Sequence, residues 1–346
     1  MPNRDLMVLT AEDIAEALAH RELEVVDVVS RAYKAHGKGE SSLPHSTFLN
    51  FPGNPANRII ALPAYLGGSV NAAGVKWIAS FPGNIKEGDD RASAVLILNS
   101  PENGRPTAIL ESSMISAWRT AAGAALAARV LVQKRTCVAG LVGCGLINFE
   151  IVRFLQAVFP ELDRALVYDL NRSSAEIFKK HCADEFPALK VEIAGSSDVV
   201  FRSVDVISFA TTAGKPWLHS LEMCAPGVVV LHVSLRDLAP GVILAADNIV
   251  DDLDHVCRAQ TSIHLTEQQA GHRRFVRCSL GDILNGTAEA RERRENIVVF
   301  SPFGLGILDI ALGEFVLGRA REKGFGSIVQ SFLPLPWRRE NPVPVC

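Results

Sequence analysis

The stretch Cys137-Val138-Ala139-Gly140-Leu141-Val142-Gly143-Cys144-Gly145-Leu146-Ile147-Asn148 decides the fold. An apolar run of strand length meets a Gly-x-Gly turn and then opens a helix over residues 146–158, which stops before Pro160. Gly143 permits the tight turn, and Gly145 lets a pyrophosphate approach the backbone. The helix start, with Cys144, Leu146 and Ile147 around it, offers free N–H groups and the positive end of a dipole. Where the usual pattern has a third Gly or Ala, this chain has Asn148, a side chain placed where helix and strand pack closely. Leu166-Val167-Tyr168-Asp169 ends the next strand on a carboxylate suited to the ribose hydroxyls of NAD. Arg172, three residues on, would instead welcome the 2′-phosphate of NADP. The expected cofactor is NAD, with NADP the less favoured alternative.

Outward from this turn, residues 165–168, 191–193, 204–210, 228–233 and 248–250 read as short buried strands separated by helices. That alternation predicts a parallel sheet covered on both faces, hence a doubly wound α/β domain. On the N-terminal side the texture differs. Thr10-Ala11-Glu12-Asp13 reads as a helix start, and strands are expected over 58–62, 75–78, 94–98 and 107–110. The last two are joined by a loop of turn formers at 99–104, and an Ala-rich helix follows over 113–132. A strand over 297–301 and a helix over 306–323, closed by Gly324, complete the pattern before a Pro-rich tail after Leu333.

The 346 residues exceed one ordinary core, so two domains are the default. A net charge of −3 gives no electrostatic case for nucleic acid or anionic membrane. No apolar run reaches the roughly 18–20 residues that span a bilayer. The 7 cysteines are scattered without a CxxC pair or Cys/His cluster, so no metal site is expected, and cytosol is the simplest compartment.

Several cations stand among apolar neighbours: Arg58 in Asn57-Arg58-Ile59-Ile60, Lys76 in Gly74-Val75-Lys76-Trp77-Ile78, and Arg119 in Ser116-Ala117-Trp118-Arg119-Thr120-Ala121-Ala122. Burying such a charge costs several kcal/mol unless it is paired. Each alone could be a surface cation or one half of a structural ion pair. Together they point to an anionic ligand such as one or more carboxylates, with Arg91 a fourth candidate. Asp237, just after the strand 228–233, is a candidate for proton handling or a loop cap. His232 reads as a core histidine. Gly304 offers close backbone approach to a nicotinamide or a plain packing turn, with Asp309 in the helical turn that follows.

These elements resemble the ornithine cyclodeaminase/mu-crystallin family across nearly the whole chain. Within it, the likeness is strongest to dehydrogenases acting on N-(2-amino-2-carboxyethyl)-L-glutamate in 2,3-diaminopropionate biosynthesis, which supplies siderophore and antibiotic precursors. That branch usually has Gly at the position of Asn148. The resemblance implies a Rossmann domain at 121–304, inserted into an α+β substrate-binding and dimerisation domain made of 1–120 plus 305–346. It implies that Arg58, Lys76 and Arg119 hold substrate carboxylate, that Asp237 handles the amine, and that Thr120 lies near the cofactor. The implied partners are a polycarboxylate amino acid and a second copy of the chain. Asp237 would accept the amine proton, and Lys76, its pKa lowered by Arg58 and Arg119, would orient a carboxylate and help activate water. Cyclodeaminase, imine or ketimine reductase, and a non-catalytic ligand carrier of the mu-crystallin kind remain open alternatives.

Overall fold

The computed structural model describes residues 4–335 and Trp337, so most of the Pro-rich tail after Leu333 lies outside the described residues. The described residues build two eight-stranded sheets. In the second, every strand pair is parallel. From edge to edge its order is Lys190–Ile193, Arg164–Tyr168, Val138–Val142, Val206–Phe209, Val229–His232, Val298–Ser301, Asp247–Val250 and Val276–Ser279. The strand before the glycine turn therefore lies inside the sheet, with the acid-bearing strand beside it. This is the doubly wound, Rossmann-type arrangement expected of short apolar strands buried on both faces.

The first sheet is mixed. Its path runs Ser327–Val329, Leu6–Leu9, Pro106–Glu111, Ala92–Asn99, Ala72–Ser80, Asn54–Leu66 and Ser41–Ser42, and Thr47–Phe51 also pairs with Asn54–Leu66. Ala92–Asn99 alternates buried and more exposed residues, as a strand with one covered face must. The loop 99–104 closes as a hairpin, Ser100 N–H donating to the Arg105 carbonyl at 2.9 Å. Helices Glu22–Gly37, Ser113–Leu131 and Gly306–Lys323 cover the inner face.

The stretch before Thr10 is a strand, Leu6–Leu9, held by parallel pairing with Pro106–Glu111. The helix start at Thr10 opens the first of two helices, Ala11–Leu18 and Glu22–Gly37, separated at His20 by a left-handed φ of 58°. The first starts on Thr10, whose side chain and Asp13 form a reciprocal capping box.

The helix Ser113–Leu131 runs unbroken through the 120/121 junction and packs against strands of both sheets. Its Ala and Gly positions are fully buried, which lets both sheets approach it closely.

Candidate active site

The glycine turn has the backbone its residues require. Gly143 sits at φ 92°, and a Cβ there would collide with the Ala210 carbonyl oxygen. Gly145, by contrast, has open space where a Cβ would lie, so its lack of a side chain keeps an approach path clear. Gly145 caps the helix Leu146–Val158 without any side-chain hydrogen bond, leaving the first-turn N–H groups uncapped by a side chain. Asp169 Oδ2 accepts from the Cys144 N–H at 2.8 Å, and its Oδ1 accepts from the Asn171 N–H at 2.8 Å. The acid and the turn thus form one unit. Unfilled N–H donors at a helix start, an open glycine and an adjacent half-buried carboxylate fit a dinucleotide's pyrophosphate and ribose.

Asn148 reverses the expectation attached to it. Its side chain is fully buried, and Nδ2 donates to the carbonyls of Val142 at 3.0 Å and Gly143 at 2.6 Å. Oδ1 accepts from Ser208 Oγ at 2.7 Å. The residue does not obstruct close packing; it ties the turn to the neighbouring strand Val206–Phe209. The Cys144 thiol is pushed up to about 12 by burial and by the Asp169 charge, so it stays protonated. Arg172 is exposed and 3.2 Å from Glu176, its charge already partnered on the surface.

Beside the turn lies a cavity of about 350 Å³, lined by residues from both halves of the chain. Arg58, Arg119 and Thr120 line it from the first sheet and the long helix, and Ile147, Val233 and Gly304 line it from the second half. Thr120 Oγ1 donates to the Ser116 carbonyl one turn earlier, at 2.7 Å. Gly304, at φ 91°, is required: a Cβ would come within 2.7 Å of Arg119 Nη1. Its loop is held by Asp251, whose carboxylate accepts the N–H groups of Phe303 and Gly304, each at 2.8 Å.

Lys76 is buried, 2% exposed, beside the cavity-lining Arg119, with which it shares Asp309. Its Nζ is 2.8 Å from Asp309 Oδ2 and donates to Ser116 Oγ at 3.2 Å. Arg119 Nε reaches the other oxygen of Asp309 at 3.2 Å. Burial, followed by the Arg119 charge, lowers Lys76 to about 8 against the pull of Asp309. Two cations and one carboxylate make a cluster of net positive charge.

Asp237 is also fully buried and does not line the cavity. Its Oδ1 accepts from Thr211 Oγ1 and from Trp217 Nε1, the latter at 2.9 Å, and its Oδ2 accepts from Ser234 Oγ. His232 Nε2 accepts the Asp237 N–H at 3.2 Å, a core histidine satisfied on both ring nitrogens by Asp237 and Ser301. Burial pushes the Asp237 carboxyl up, but His232, Ser234 and Thr211 outweigh it and hold the group at about 2. A carboxylate so fully engaged is a weak base near neutral pH.

Sequence reasoning gave Asp309 only a passing place, yet it is the acid that meets Lys76 and Arg119. It also missed Tyr33, which lines the cavity with its hydroxyl kept protonated by burial and by the Asp251 charge, and Arg236, adjacent to Asp237. An acid set among apolar residues, in Gly306-Ile307-Leu308-Asp309-Ile310-Ala311-Leu312, was the available signal for Asp309.

The ornithine cyclodeaminase/mu-crystallin family model matches residues 4–324. N-((2S)-2-amino-2-carboxyethyl)-L-glutamate dehydrogenase of Staphylococcus aureus is 28% identical, over 95% of this chain and 100% of its own. Alanine dehydrogenase of Archaeoglobus fulgidus is 28% identical, over 95% of this chain and 99% of its own. A solved archaeal alanine dehydrogenase dimer with bound NAD is 27% identical, with a TM-score of 0.84 over 94% of this chain and 99% of that one. With the glycine turn, the cation-lined cavity and these likenesses together, the chain belongs to the ornithine cyclodeaminase/mu-crystallin family.

Proposed function

We propose that the chain is an NAD-dependent oxidoreductase converting N-(2-amino-2-carboxyethyl)-L-glutamate to 2-oxoglutarate and L-2,3-diaminopropionate. The observation that carries this reading is the cavity itself, lined by Arg58 and Arg119 together with Ile147 of the helix that follows the dinucleotide turn. A substrate with three carboxylates answers that surplus of cations. The Staphylococcus aureus relative supports this substrate, and the NAD-bound archaeal dimer supports the cofactor.

The reaction removes hydride from the glutamate Cα and a proton from the bridging nitrogen, giving an imine that water then cleaves at the carbon–nitrogen bond. The uncapped N–H groups of Leu146 and Ile147, with Asp169, would hold NAD, which would supply the hydride acceptor when bound. Arg58 and Arg119 orient carboxylates, and Arg91, bonded to the Ser80 that stands opposite Arg58, adds a further cation nearby. Lys76, with a pKa of about 8, is better matched than Asp237, at about 2, to accept a proton near neutral pH. Asp237 then acts as a positioning residue, fixing Thr211, Trp217 and Ser234 at the end of the strand Val229–His232. Asp237→Asn with unchanged turnover and pH profile would remove it from the reaction altogether.

The same reading divides the chain into a substrate module, 1–120 plus 305–346, and a dinucleotide module, 121–304. It also makes the protein a homodimer through the outer face of the first sheet. Leu49, Trp77 and Val95 share that face and are all more than a third exposed. Sedimentation analysis tests the dimer, and Trp77→Glu should shift it to monomer. The activity is tested by mixing protein, NAD and the synthetic adduct, following NADH absorbance and identifying both products. NADH release with the adduct and none with ornithine is expected; the reverse would assign a different reaction.

A further inference from the structure

Tyr33 belongs to the buried face of the helix Glu22–Gly37, where Val25, Val29 and Tyr33 recur every four residues. The residue is 1% exposed and packs in the core, yet it lines the cavity. Its hydroxyl makes no hydrogen bond among the described residues. A phenol buried this deeply normally has a partner, and a phenylalanine would fill the same core without leaving a polar atom unbonded.

Gly123 admits that hydroxyl. A Cβ there would lie 3.2 Å from the Tyr33 oxygen, so the glycine lets the phenol settle against the helix Ser113–Leu131. Gly123 follows Arg119 by four residues and Thr120 by three, which puts the three on one helical stripe, and all of them line the cavity. Arg119 sends Nε to Asp309 and Nη2 to Ser116 Oγ. Its Nη1, which a Cβ on Gly304 would meet at 2.7 Å, donates to nothing among the described residues. One charged and one neutral donor therefore stand unengaged along a single stripe of the cavity wall. Asp251 does not compete for them, because its carboxylate already accepts the N–H groups of Asp252, Phe303 and Gly304. Burial, then the Asp251 charge, keeps the phenol protonated against the pull of Arg119, so it is available as a donor.

We propose that Tyr33 is a substrate-contacting residue whose hydroxyl, together with Arg119 Nη1, grips one carboxylate of the bound molecule. This deepens the reading of the cavity as the substrate site and rests on it. A neutral donor suits the place. Lys76 and Arg119 already share a single carboxylate, and a further cation would add to their repulsion.

Calorimetric titration with 2-oxoglutarate in saturating NADH tests the contact. Tyr33→Phe keeps the ring and deletes only the oxygen. It should weaken 2-oxoglutarate roughly ten- to a hundredfold, the loss of one charge-assisted hydrogen bond, while the ligand-free Tm and the NADH affinity hold. Gly123→Ala, which crowds the hydroxyl, should weaken the acid in the same direction, and it decides the matter alone if Tyr33→Phe does not fold. A lowered Tm with 2-oxoglutarate affinity unchanged would make the hydroxyl structural and overturn the proposal. So would loss of NADH affinity with the acid still bound, or failure of the unaltered protein to bind the acid. Tyr33-dependent binding of 2-oxoglutarate without NADH formation from the adduct would keep the contact and sink the proposed reaction.

Discussion

Lys76 Nζ and Asp309 Oδ2 lie 2.8 Å apart, both shielded from solvent, one on an inner strand of the first sheet and the other in the final long helix. Arg119 shares the same carboxylate at 3.2 Å. A single acid therefore compensates two buried cations contributed by separate elements.

Removing that acid should be severe. Asp309→Asn leaves Lys76 and Arg119 facing each other without a counter-charge, and breaking such a buried arrangement costs about 3–5 kcal/mol. Thermal melting should report a large drop in Tm, together with loss of turnover. An unchanged Tm would mean that the pair is solvated in solution.

Turnover in the oxidative direction should rise with pH. Lys76 can accept a proton only when neutral, and its pKa is lowered to about 8. The pH profile of kcat/KM should climb up to that value and then level off. Lys76→Met should cost at least ~100-fold in kcat, as loss of a proton-transfer group does. Stability has the same sign: the unfolded chain binds the extra proton between about 8 and the ordinary 10.5, so folding is favoured more as pH rises through that window.

The two glycines of the turn should separate by phenotype. Gly143→Ala places a methyl group against the Ala210 carbonyl at a left-handed φ, so it should lower Tm and expression. Gly145→Ala meets no protein atom and should fold normally, yet raise KM for NAD by crowding the phosphates. Equal Tm losses for both would contradict the assignment of the second glycine to the cofactor.

Restoring the usual glycine at position 148 should harm the protein. Asn148→Gly removes three hydrogen bonds within a buried turn and adds a glycine to a helix. The sum is roughly 2–4 kcal/mol of lost stability, readable by urea denaturation. A more stable variant would show that Asn148 is tolerated instead of used.

Local features were legible in the sequence. The strand before Gly143, the helix start after Gly145 and the strand ending before Asp169 stand where the sequence put them, because all three are set within a short stretch. Relationships between distant residues were not legible. The strands Leu6–Leu9 and Ser327–Val329 are stabilised by each other and by Pro106–Glu111, which no window around either contains. Asn148 looked like a misfit because its partner Ser208 arrives from a different strand. Asp237 was correctly placed at a strand end, but the sequence does not reveal how many donors converge on its carboxylate. For the same reason Asp309 drew little notice: its importance comes from a lysine and an arginine on other elements.

The long helix Ser113–Leu131 and the loop between Ser301 and Gly306 are the two places where the described chain passes from one sheet to the other. Arg119 and Thr120 sit on the first passage and Gly304 on the second, so the joints between the halves are also walls of the cavity. A hinge made of working parts cannot swing without disturbing them. Any substitution that changes the angle between the sheets, however far from the cavity, should therefore register in the KM values of both cofactor and substrate together.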